Sequence, residues 1–147
     1  VFAGFVAVTL TEDTGSATTK RIDAMTQKQL EAEARYVAVH GGVICTRWGC
    51  ATPYMKRLSR ELVYRQFRRT GTERWALCVV ERESGFNPGA VSRTNDHGLA
   101  QFNAPSWSHL YDMRRLKRDP VYAVKSFFRL SGGGRSTSPW RGGGYSC

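Results

Sequence analysis

The chain has 147 residues, 41% of them hydrophobic, which is enough for one domain with one core and a tight fit for two. Its formal charge of +10, from 22 Lys and Arg against 12 Asp and Glu, suits an anionic partner such as nucleic acid, an anionic membrane or an acidic wall polymer, without choosing among them. The basic residues are scattered, with no long basic tail or block, so the charge reads as a steering field rather than a nucleic-acid arm.

Residues 1–10, VFAGFVAVTL, are apolar but too short to span a bilayer, so no transmembrane span is expected. The run reads as the remnant of an export signal, the end left by processing of a larger precursor, or a strand that packs on a neighbour; the missing initiator Met favours cleavage. TEDTGSATT offers little to bury and reads as linker. The expected division is an apolar segment and linker over 1–25 and a domain over 26–147.

Thr26 is placed to cap QKQLEAEARYVAVH, a helix stopped by Gly41 and Gly42. CTRWGC follows as a cysteine-bounded loop. Thr52 as cap and Pro53 as first helical residue predict a helix through PYMKRLSRELVYRQFRR, with Tyr54, Leu58, Leu62 and Tyr64 or Phe67 as its apolar stripe. A DNA-reading helix has the same look, but it needs Arg57, Arg60, Arg65 and Arg68 on one exposed face, and their spacing is too spread; nucleic acid is not the expected partner.

Gly71 closes that helix, and Thr72 is placed to cap the next, ERWALCVVERE. There Trp75, Val79 and Glu83 fall at four-residue steps with Ala76 and Val80 beside them, so Glu83 sits at the foot of an apolar stripe. A carboxyl so placed is partly desolvated, which raises its pKa. Beyond Pro88, VSRTNDHGLAQFN has turn chemistry in TND and HG and partial alternation, predicting a small irregular hairpin. Pro105, Ser106 and Trp107 open a short helical turn. Asp119 and Pro120 start PVYAVKSFFRL, whose Val121, Val124, Phe127 and Phe128 belong in the core, and GGGRSTSPWRGGGYSC is a glycine-rich tail with Trp140, Tyr145 and Cys147 as its anchors.

The four cysteines, Cys45, Cys50, Cys78 and Cys147, allow three complete pairings. The gap in CTRWGC is neither that of a redox pair nor of a zinc knuckle, and His40, His97 and His109 are the only histidines, so no metal site is expected. Structural disulfides in an oxidising compartment are the reading.

Cleavage of a sugar polymer needs one carboxyl that stays protonated as general acid, and usually a second that stays ionised to stabilise or trap the positive sugar. Glu83 meets the first requirement, and Asp96, in a polar turn between Asn95 and His97, meets the second. Gln101 and Asn103, at alternate positions, could aim their amides together at sugar hydroxyls and N-acetyl groups, and Trp107 offers a flat face for a pyranose ring. Singly, each has a plainer reading: Glu83 as a helix-end salt bridge to Arg82 or Arg93, Asp96 as an Asx turn, Trp107 as a core aromatic.

Together these residues resemble the lysozyme and soluble lytic transglycosylase superfamily. Glu83-Ser84-Gly85-Phe86-Asn87-Pro88, followed by Ala90 and Ser92, is similar to the transglycosylase signature around its catalytic glutamate. Asp96-His97-Gly98-Leu99-Ala100-Gln101-Phe102-Asn103 resembles the aspartate, glycine, glutamine and asparagine run of animal-type lysozymes, and Trp107 falls where those have a sugar-binding tryptophan. Cys78 matches the lysozyme cysteine that pairs near the C terminus, implying Cys78 with Cys147 and, by remainder, Cys45 with Cys50. SGGGRSTSPW looks like the closing part of phage and bacterial members. The resemblance spans roughly residues 72–140; the region before it carries no motif that can be matched, although TPYMKRLSRELVYRQFRR could supply the helical lobe behind the cleft.

The resemblance implies an α+β, predominantly helical lysozyme-like fold with a small irregular hairpin beside the cleft. It implies an enzyme that cuts the β-1,4 bond between N-acetylmuramic acid and N-acetylglucosamine, without cofactor or metal. Glu83 would be the general acid, Asp96 the stabiliser or nucleophile, and Gln101, Asn103, Trp107 and Ser92 the substrate contacts. The stretch from Glu83 to Asp96 is shorter than in animal lysozymes, and the transglycosylase branch needs no second carboxylate because the substrate's own 6-hydroxyl attacks. Hydrolysis is placed ahead of the lytic reaction, with a non-catalytic wall-binding or structural protein on the same scaffold as the alternative of another class. The expected partners are peptidoglycan glycan strands, anionic wall polymers that fit the +10 charge, and an assembly partner for the apolar N terminus; the expected location is extracellular, at the cell wall or on a virion.

Overall fold

The computed structural model describes residues 21–41, 45–46, 49–143 and 147. The apolar run 1–10, the linker to residue 20, Tyr145 and the pairing of the Cys45 and Cys50 side chains lie outside the described residues. Helix α1, Gln27–His40, begins in a reciprocal capping box: Thr26 Oγ1 accepts from Gln29 N–H at 3.2 Å, and Gln29 Oε1 accepts from Thr26 N–H at 2.8 Å. It buries Leu30 and Ala34 and is capped at its C terminus by Gly41.

CTRWGC, expected as a loop, holds two short antiparallel strands, β1 (Cys45–Thr46) and β2 (Gly49–Cys50). Strands of two residues have no alternation to read. Helix α2, Pro53–Arg68, starts where Thr52 Oγ1 accepts from Met55 N–H at 3.1 Å, and it packs against α1, against α3 (Glu73–Ser84) and against α6 (Pro120–Leu130). Its buried face keeps Leu58, Leu62 and Phe67 of the expected stripe and adds Met55 and Val63. Tyr54 and Tyr64 are half-buried at the edges, where their polar ends find partners: Tyr54 O–H donates to Glu33 Oε1 at 2.7 Å, and the Arg68 guanidinium lies over the Tyr64 ring.

Arg65 points back into the fold. It donates to Glu61 and to the carbonyls of Ile22, Asp23 and Met25, fastening the chain ahead of α1 onto α2, and Ile22 packs in the core with 3% exposure. Arg65 is therefore not part of an exposed basic face with Arg57, Arg60 and Arg68.

Thr72 occupies the N-cap position of α3 but does not cap it, because its hydroxyl is drawn elsewhere. Thr70 and Thr72 both donate to Gly133 O, at 2.8 and 2.7 Å, which seats the glycine run against the turn between α2 and α3. A Cβ on Gly134 would stand 2.4 Å from Thr72 Oγ1, and φ is +85° there, so the close approach needs glycine. The tail is thus fixed before Trp140, and Cys147 is disulfide-bonded to Cys78 on α3, the pairing that the family resemblance implied.

Two short helices, α4 (Ala104–Trp107) and α5 (Met113–Arg118), lie between the site hairpin and α6. Asp112 caps α5, which was not expected: six residues burying only Leu116 carry too little pattern. Asp119 starts α6 by accepting from Val121 and Tyr122 N–H, and Val121, Val124 and Phe127 are buried. Phe128 is only half-buried, edge-on to Phe67. Phe67, Trp75, Phe127 and Trp140 form one aromatic cluster, with the closest ring centroids 4.7 Å apart between Phe67 and Phe127. Truncating such a ring to Ala costs about 3–5 kcal/mol. The fold is predominantly helical α+β, with the small sheets as accessories.

Candidate active site

Glu83 lies in the last turn of α3, half-buried, and the residues after it hold that turn in place. Ser84 Oγ donates to Val80 O at 3.1 Å, Gly85 adopts a left-handed cap at φ 57°, and Phe86 is left-handed too, at φ 62°. A side chain rarely tolerates that conformation; here the Phe86 ring gains contact with the core. Asn87, 1% exposed, accepts on Oδ1 from Gly89 N–H at 2.9 Å and turns the chain toward the hairpin.

Strand β3, Asp96–His97, pairs antiparallel with β4, Phe102–Asn103, in the register Asp96 opposite Asn103. Gly98 N–H closes the preceding loop onto Ala90 O at 2.9 Å. A Cβ on Gly98 would come within 2.8 Å of Leu116 O, so the hairpin rests directly on α5.

The Asp96 carboxylate is held by three side chains. Ser92 Oγ and Thr94 Oγ1 donate to Oδ2, and Asn103 Nδ2 donates to Oδ1 at 2.9 Å. Burial alone would raise this carboxyl, but the hydrogen bonds from Ser92, Thr94 and Asn103, with the nearby His97, outweigh it and keep it below its ordinary value. Asp96 is an anion at neutral pH. His97 is pushed the other way: burial first, then Lys117, lower its pKa against a smaller pull from Asp96. Its Nε2 meets Asn95 Oδ1, while Nδ1 is buried without a partner, so the ring is neutral.

Glu83, Asp96, Gln101, Asn103 and Trp107 line one cleft of about 220 Å³. The structure thus brings five of the six expected acid and substrate-contact residues together; Ser92 stands behind Asp96. The Gln101 and Asn103 amides do not aim their donors outward. Gln101 Nε2 donates to the carbonyls of Ala90 and Gly98, and Asn103 Nδ2 to Thr94 O and Asp96. Among the described residues no group of three or more His, Cys, Asp or Glu is placed to hold a metal ion, and no helix is long and apolar enough to cross a membrane.

Compared with protein families, the chain matches the transglycosylase SLT domain over residues 64–126, a stretch that begins ahead of residue 72, where the resemblance was expected to start, and contains Glu83, Asp96, Gln101, Asn103 and Trp107. The family matched over that segment belongs to the lysozyme-like superfamily. That family is one of enzymes, the lytic transglycosylases, and its substrate is peptidoglycan. None of the curated proteins or solved structures compared with the chain matches it.

The matched segment does not supply the whole cleft. Leu130, Pro139 and Trp140 complete its wall with Phe102, and Trp140 Nε1–H donates to Ala100 O at 2.8 Å. Trp140 was read from the sequence only as a tail anchor, and nothing local signals its second role. Thr94 was also missed, although hydroxyls four and two residues before a carboxylate are a readable signature of a side-chain turn.

Proposed function

We propose that the protein is a peptidoglycan-cleaving enzyme that breaks the β-1,4 bond between N-acetylmuramic acid and N-acetylglucosamine as a lytic transglycosylase. The observation that carries this is a helix-end carboxyl, Glu83, and a held carboxylate, Asp96, on the walls of one cleft with Trp107. Glu83, protonated, gives its proton to the bridging oxygen; the bond from that oxygen to C1 breaks, and positive charge develops on the muramic ring, facing the Asp96 anion. Trp107 offers the ring a flat apolar face.

Three donors on Asp96 favour an electrostatic role over nucleophilic attack, because an attacking carboxylate gives up electron density its donors are holding. With no protein nucleophile, the substrate's own 6-hydroxyl closes on C1 and its proton passes to the Glu83 carboxylate, leaving an anhydro end. The match to a transglycosylase domain supports the same choice. Hydrolysis is the second reading, favoured by the presence of a second carboxylate in the cleft; water then replaces the hydroxyl. The Cys78–Cys147 disulfide supports a place outside the cytoplasm, at the cell wall or on a virion, and the +10 charge supports attraction to anionic wall polymers.

Mass spectrometry of muropeptides released from clean peptidoglycan tests the reading. Each cleavage should give a product lighter by one water than a reducing end. Products dominated by reducible muramic ends would transfer the reading to hydrolysis, and no release of glycan fragments would end both.

A further inference from the structure

Helix α1 is apolar on two sides. Leu30 and Ala34 are buried, and Val37 and Ala38 pack on the same core, where α1 meets α2, α5 and α6. At about 100° per residue, Ala32, Tyr36 and Val39 fall together on the opposite side. All three are exposed, Tyr36 at 61% and Val39 at 70%. A helix that had only to close the core would carry polar residues there.

Ala32 and Tyr36, with Ala24 and Met25 from the turn ahead of the helix, line a groove of about 650 Å³, larger than the 220 Å³ cleft. Its polar groups are matched to partners within the protein. Arg21 donates to Glu33 Oε1 at 3.2 Å and to Tyr54 Oη at 2.9 Å, Tyr54 O–H donates to Glu33 Oε1 at 2.7 Å, and Gln29 Oε1 accepts from Thr26 N–H at 2.8 Å. What the groove offers an occupant is therefore an apolar surface without a net charge.

We propose that the groove is the docking site of this chain's own apolar run, residues 1–10. VFAGFVAVTL has eight apolar residues and no charged side chain, which suits a groove whose cation and anion are already paired with each other. Residues 11–20 bring the run to it, because Arg21 is both the next residue and part of the groove wall. Ten extended residues reach about 33 Å, beyond the roughly 21 Å length of the 14-residue α1. A tether so short holds the run at an effective concentration on the order of mM. A second copy of the chain would bring its own charge of +10 against the first, and an anionic wall polymer finds no unpaired cation in this groove, so both are poorer occupants.

The test places a photo-crosslinking benzoylphenylalanine at Tyr36 in the full 147-residue chain, an aromatic exchange at an exposed position. After irradiation, peptides from residues 1–10 should be joined to the α1 peptide in species of monomer mass, with a yield unchanged on dilution. Phe2→Asp with Phe5→Asp should lower that yield by about tenfold, because an unpaired charge resists burial in an apolar groove. Cross-links in species of dimer mass, rising with concentration, would give the face to a second copy and overturn the proposal. So would a yield unmoved by the two Asp substitutions, or no cross-link to residues 1–10. Where the probe disturbs the fold, hydrogen exchange on the unaltered chain decides. Residues 1–10 should exchange more slowly there than in the Ala32→Glu variant, which puts a charge into the groove and leaves the buried side of α1 and the cleft untouched. Equal exchange in the two proteins, with the same circular dichroism spectrum, overturns the proposal.

Discussion

Asp96 and Asn103 face each other across the β3–β4 ladder, and the Asn103 amide donates to the Asp96 carboxylate at 2.9 Å. Because side chains alternate along a strand, a slip of one residue would put Phe102 in that place and leave the carboxylate with only its two hydroxyl donors. The register of a two-residue ladder thus sets the electrostatics of the cleft.

Replacing Asn103 by Leu removes that donor while keeping the bulk. The Asp96 pKa should rise toward its ordinary value of 3.8, since burial is then opposed by fewer bonds. A depressed carboxyl stabilises the fold above its unfolded pKa and loses that contribution as pH falls through the folded one, so the variant should lose less stability than the parent below about pH 4. Carboxyl-resolved NMR titration checks the shift, and glycan release should drop by about tenfold. An Asp96 titration unchanged in the variant would mean the hydroxyls of Ser92 and Thr94 suffice.

Changing Glu83 to Gln should cut peptidoglycan turnover by about 10²-fold to 10⁴-fold, the range for losing a general acid, with the circular dichroism spectrum and melting temperature kept. Full turnover by this variant would remove Glu83 from the chemistry and with it the proposed mechanism.

What the sequence disclosed follows how local each signal is. Thr26, Thr52 and Asp119 bind amides within three residues of themselves, so their helices could be placed to the residue at the start. Glu83, Asp96, Gln101, Asn103 and Trp107 fall within one short run and were legible as a group. The roles of the amides were not, because the carbonyls of Ala90, Gly98 and Thr94 that take their hydrogens are set by the fold of the loop. Trp140 reaches Ala100 from forty residues away, a contact no spacing rule contains.

Losing both Cys78 and Cys147, as a double Ser variant, should lower stability by about 2–4 kcal/mol, because the bridge closes a loop with a sequence separation of 69 residues. Denaturant midpoints measured without reductant give the difference. A variant as stable as the parent would show that the Gly133 contacts and the buried Trp140 hold the tail unaided.

The last prediction concerns acid, and it turns on His97. The ring is 8% exposed, bonded through Nε2 to Asn95 and with Nδ1 buried and unpartnered; Lys117 opposes a second proton and Asp96 only partly offsets it. The folded pKa is therefore below the ordinary 6.5, and the unfolded chain binds the proton more readily. The sign follows: the stability contributed by the neutral ring is complete above about pH 6.5 and is lost as pH falls through the depressed value. His97 is the neighbour of Asp96 on β3, so the strand that loosens is the one carrying the cleft anion. Melting temperature and glycan release should both decline in the parent as pH falls below about 6.5 and through the depressed value. His97→Phe keeps an apolar ring of similar size and leaves the exposed Asn95 to water, so its melting temperature should be flat across the same window. An equal decline in the Phe variant would assign the acid loss to another group and clear His97.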